Sequence, residues 1–141
     1  MTGLFQAATR AQLRSGALVA ARVFFTNWES PLETFGEAFA TLRKANVAPH
    51  TFLDVMNALF ASPVYANYGR LIAEEQFEPA GFALKLGLKD IRLALETAQE
   101  CASPMPAASL IRDHFLSAIA LGQGDLDWSS IARIAARNAG L

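Results

Sequence analysis

Proline, glycine and serine cut this 141-residue chain into pieces of single-helix length, and between the cuts apolar residues recur every three or four positions. Apolar–polar alternation bounded by turn residues occurs nowhere, so no strand is expected. The pattern predicts an all-α protein, a bundle of about seven helices joined by short connections. Hydrophobic residues make up 52% of the chain and charged residues 18%, enough apolar surface for one buried core.

The first helix spans residues 4–26, with Leu13, Ala17, Ala20 and Phe24 on one face and Arg10 and Arg14 on another. "SPLE" at 30–33 reads as a fresh start: Ser30 caps, Pro31 enters the first turn and Glu33 completes a capping box. Pro31 is therefore expected to separate an N-terminal helical arm, 1–29, from a domain covering 30–141. Leu32, Phe35, Phe39 and Leu42 form the buried stripe of the second helix, which Asn46 ends. Pro49 opens a third helix carrying Phe52, Leu53, Met56, Leu59 and Phe60. "SP" at 62–63 opens a fourth, with Val64, Tyr65, Tyr68, Leu71 and Ile72. "FEPAG" at 77–81 is a turn, and the fifth helix follows it until "SPMP" at 103–106. The sixth carries Leu110, Ile111, His114, Phe115, Ala118 and Ile119 and stops at Gly122 and Gly124. Asp127 caps the last, which holds Trp128, Ile131, Ile134 and Ala135.

Several function classes are excluded by what the chain lacks. A net charge of −1 gives no electrostatic case for nucleic acid or an anionic membrane. No apolar run in the N-terminal segment approaches the ~20 residues that span a bilayer. Cys101 is the only cysteine, which excludes an intrachain disulfide and makes a reducing, cytoplasmic setting the expectation. There is no P-loop, no HExxH and no strand-borne GxGxxG; "GQGDLD" at 122–127 follows a helix instead. His50 and His114 lie far apart, so no metal site is expected.

Charge inside the fifth helix, "GFALKLGLKDIRLALETA" at 81–98, has two readings. Leu84, Leu88, Ile91, Leu95 and Ala98 share one face; Lys85, Lys89, Arg92 and Glu96 share another. The second face is either a solvated stripe braced by an Arg92–Glu96 pair or a cationic clamp for a phosphate or carboxylate. His114 is likewise either a partly buried histidine bonded to a neighbour or a catalytic group. Tyr65, Tyr68, Trp28 and Trp128 read as packing residues.

"FALKLGLKDIRLALETAQECASPMPAASLIRDHFLSAIALGQGDLDWSSI", residues 82–131, resembles the C-terminal helical domain of the β-hydroxyacid dehydrogenase family. The lysine–aspartate pair in a leucine-rich helix, the small-P-x-P break and the G-x-G-x-x-D-x-S end occur in the family's order. "GEAFATLRKANVAPHTFLDVMN" at 36–57 and "SPVYANYGRLIAEEQFEPAGF" at 62–82 are similar to the helices that precede them. The resemblance covers roughly residues 32–135 and implies the 6-phosphogluconate dehydrogenase C-terminal-domain-like fold.

The resemblance also implies a site. In this family the lysine of the KD pair faces a cleft near cofactor and substrate, a role that would fall to Lys89 with Asp90 beside it. The family's catalytic lysine would fall near residue 21, where this chain has Ala21, with no lysine before Lys44. Arg22 is adjacent, but a guanidinium holds its proton too firmly for the same acid role. The family uses NAD(P), held by a nucleotide-binding domain; no cofactor is expected for this chain by itself. The expectation is a helical dimerisation or interaction module without oxidoreductase activity of its own, a homodimer with Leu18, Phe24 and Phe25 at the contact. The alternative is the substrate-side half of an NAD(P)-dependent hydroxyacid dehydrogenase or reductase, paired with a separate nucleotide-binding chain.

Overall fold

In the computed structural model, which describes the backbone of residues 16–141 and the side chains of residues 30–141, six α-helices and one 3₁₀ turn follow one another. They are α1 (Gly16–Lys44), α2 (Pro49–Phe60), α3 (Pro63–Glu74), α4 (Leu84–Glu100), α5 (Pro106–Ala120), the turn Trp128–Ile131 and α6 (Ala132–Asn138). No strand occurs among the described residues; the single ladder contact is an isolated antiparallel bridge between Ala83 and Asp127.

One expectation is corrected. Pro31 does not break the chain: α1 is a single 29-residue helix with the proline inside it. Proline removes one i to i−4 bond and crowds the preceding turn, a cost of about 3 kcal/mol. A break would instead create two new helix ends, each leaving up to four backbone groups to be satisfied elsewhere. With helix on both sides, propagation through the defect is the smaller loss. The capping box therefore does not form, and Glu33 points its carboxylate to another partner. The expected start of the first helix at residues 4–15, and its face of Leu13, Ala17, Ala20 and Phe24, lie outside the described residues. The last helix is also divided, into the 3₁₀ turn that Asp127 caps and then α6.

The other breaks fall where the side chains place them. Pro49, Pro63 and Pro106 each open a helix. Asn46 takes φ 57° just past α1, the left-handed stop that Asn tolerates. Arg43 closes the end of α3: its Nη2 donates to the carbonyls of Ile72 and Ala73 at 3.1 and 3.2 Å, and its Nη1 pairs with Glu75 at 3.2 Å.

Leu32, Phe35 and Phe39 bring α1 into the core, where Phe35 and Phe39 meet Phe52 of α2 edge-on at 6.2 and 5.6 Å between ring centres. Leu84, Leu88 and Ile91 of α4 and Ile111 and Phe115 of α5 complete it with Trp128, Ile131 and Ile134. Burying a large apolar side chain contributes about 1.5–3 kcal/mol, so this cluster dominates the stability of the fold. Gly87 lets the Phe115 ring lie directly on α4, since a Cβ there would meet Phe115 Cε1 at 2.7 Å.

Candidate functional site

The start of α4 is positioned by a clasp between two loops. Leu84 N donates to Leu126 O at 2.8 Å, Lys85 N to Gly124 O at 3.0 Å, Asp127 N to Phe77 O at 2.9 Å and Trp128 N to Phe82 O at 2.8 Å. At its centre the buried Asp127 carboxylate accepts four bonds. Oδ2 takes the backbone N–H groups of Gly81 (3.0 Å) and Phe82 (3.2 Å); Oδ1 takes Ser129 N (3.0 Å) and Ser129 Oγ (2.6 Å). The sequence marked Asp127 only as a cap. Its tie to residues 81 and 82 comes from a partner 45 or more residues away, for which a single sequence carries no signal.

From that start α4 presents the charges singled out earlier, and they separate. Lys85 pairs with Asp125. Arg92 and Glu96 are exposed, and the expected pair between them does not form. Lys89 is exposed and has no hydrogen bond or ion pair among the described residues. Asp90 is half-buried, and desolvation pushes its carboxyl above the usual range, with the Lys89 charge working in the opposite direction. Lys89 and Asp90 thus stand together as an available ammonium beside a desolvated carboxyl. Leu18, Ala21, Phe24 and Phe25 belong to the part of α1 whose side chains lie outside the described residues.

Nδ1 of His114 on α5 lies 2.6 Å from Oε1 of Glu33 on α1, so the histidine is a bonded, partly buried group. Glu33 was missed as a site residue because the capping-box reading gave it another role. A signal was present: 33, 36 and 40 form a second row beside the Leu32–Phe35–Phe39 stripe, and the other two members are the small Gly36 and Ala40. A small-residue row marks a face closely approached by another helix. Burial holds the Glu33 carboxyl above its ordinary range; the charge and bond of His114 offset part of this, and Glu37 adds to it.

A pH dependence follows from that direction. A carboxyl with a raised folded-state pKa favours folding most at and below its ordinary value near 4.5, and that contribution is lost as pH rises through the folded value. The melting temperature of the wild type relative to Glu33→Gln is therefore expected to fall as pH climbs above 4.5. A difference that stays flat or grows over that range would contradict the burial argument.

The Glu33–His114 pair edges an open groove of about 410 Å³ between α1, α5 and α6. Among the described residues, Glu37 and Thr41 of α1 and Asn138 of α6 add polar groups to it, and alanines line it with apolar surface. Among the described residues no three His, Cys, Asp or Glu side chains converge as a metal site.

Comparison with known proteins connects this fold to a family. A family model described as "NAD-binding of NADP-dependent 3-hydroxyisobutyrate dehydrogenase" matches residues 30–135. The chain belongs to the β-hydroxyacid dehydrogenase family. The uncharacterized oxidoreductase YfjR of Bacillus subtilis is 46% identical over 104 residues, 74% of this chain and 36% of that protein. Glyoxylate/succinic semialdehyde reductase 1 of Arabidopsis thaliana is 33% identical over 103 residues, 72% of this chain and 35% of that protein. The chain thus spans about a third of the length of these curated β-hydroxyacid dehydrogenase relatives.

Solved structures in the same family carry the same helical fold. The 3-hydroxyisobutyrate dehydrogenase of Salmonella typhimurium superposes with a TM-score of 0.76 at 22% identity, over 83% of this chain and 41% of that one. The Mycobacterium tuberculosis enzyme gives 0.71 at 20% identity, over 82% and 42%. Among the described residues no helix is long and apolar enough to cross a membrane.

Proposed function

We propose that this chain is a helical assembly and cleft-wall module of the β-hydroxyacid dehydrogenase family that does not transfer hydride by itself. The observation that carries the reading is the family match over residues 30–135, which falls entirely on helices and their connections. Dinucleotide recognition in a strand–turn–helix unit needs a glycine-rich turn opening a helix after a strand, and the described residues hold no strand. What α4 offers NAD(P) is the exposed ammonium of Lys89, with no strand-borne backbone cradle among the described residues. They fit one wall of a cofactor cleft and not a complete site.

Self-association is supported by apolar surface. Val55 and Leu59, one turn apart on α2, are 53% and 71% exposed, and Phe60 at the end of the helix is 57% exposed. The purified chain is expected to run as a dimer by size-exclusion chromatography with light scattering. The same sample is expected to show no NADPH-dependent reduction of glyoxylate or succinic semialdehyde. Turnover by this chain alone would overturn the reading, and a monomer at high concentration would remove the assembly role.

A second reading is favoured by the lone Lys89 beside Asp90. Here the domain forms the substrate-side half of an NAD(P)-dependent hydroxyacid oxidoreductase, and Lys89 attracts an anionic group of cofactor or substrate. Combined with a nucleotide-binding domain, the wild-type chain would then support turnover that Lys89→Ala loses in large part. Unchanged turnover in Lys89→Ala would count against it.

A further inference from the structure

We draw no further inference here: the strongest candidate, the exposed apolar end of α2 at Leu59 and Phe60 beside the Phe60–Tyr65 ring pair, carries nothing beyond the self-association already proposed, because nothing in the structure shows what covers it.

Discussion

Asp127→Ala is expected to destabilise the fold by about 4 kcal/mol, a large share of the 5–15 kcal/mol that holds a domain of this size together. The aspartate is 3% exposed and accepts four hydrogen bonds, two from backbone N–H groups of the 77–84 loop and two from Ser129. Alanine leaves those donors without an acceptor in a site that water reaches poorly, and each unmet buried donor costs about 1–3 kcal/mol. Some of that loss is recovered by relaxation, which keeps the total below the sum of four. Asp127→Asn keeps the shape but turns an NH₂ group toward donors on one side, for an expected loss of about 2 kcal/mol. Urea unfolding of the three proteins measures both values. An alanine variant within 1 kcal/mol of wild type, itself the floor for a single lost buried bond, would show that the clasp is not what holds the loops together.

The placement of Lys89 and Asp90 follows from the same clasp. Asp127 fixes Gly81 and Phe82, and the next residues, Leu84 and Lys85, are held by Leu126 and Gly124. The direction in which α4 leaves this loop, and so the position of Lys89 and Asp90 one turn later, depends on it. Loosening of the loop is expected to reach any ligand that Lys89 meets, although Asp127 touches none.

How much of this was legible in the sequence depended on the distance over which each interaction acts. The proline-opened helices at 49, 63 and 106 were readable because a start signal works within four residues. Asn46 and Gly122, each at positive φ, were readable as stops for the same reason. Pro31 misled because local preference competes with what lies on either side, and an uninterrupted helix wins without any local mark. Glu33 and His114 are 81 residues apart. Each was visible alone, Glu33 as a cap and His114 as a bonded histidine, but only the packing of α5 on α1 makes them a pair. Lys89 was singled out by resemblance, and the structure adds that Lys85, its neighbour one turn earlier, is occupied by Asp125 while Lys89 is available.

Gly36→Ala is expected to cost about 2 kcal/mol even though alanine is the better helix former by about 1 kcal/mol. A Cβ at position 36 would lie 2.7 Å from Ala132 Cα and 3.0 Å from Ala132 Cβ. Neither atom is the end of a flexible side chain, so α1 and α6 must separate by roughly 1 Å to restore ordinary contact. Gly69→Ala supplies the comparison that decides the cause. There the added Cβ would come even closer, 2.4 Å from Leu53 Cδ1, but a leucine methyl moves aside by a rotamer change. If what matters is whether the neighbour can yield, Gly36→Ala is the more destabilising of the two in thermal or urea unfolding; the reverse order would mean that separation of α1 and α6 is easy. The same movement reaches the groove edged by the Glu33–His114 pair, whose wall continues from the Gly36–Ala132 contact through Ala40 and Ala135 to Ala139. Spreading the helices there draws Glu33 and Glu37 away from Asn138 without altering either carboxylate.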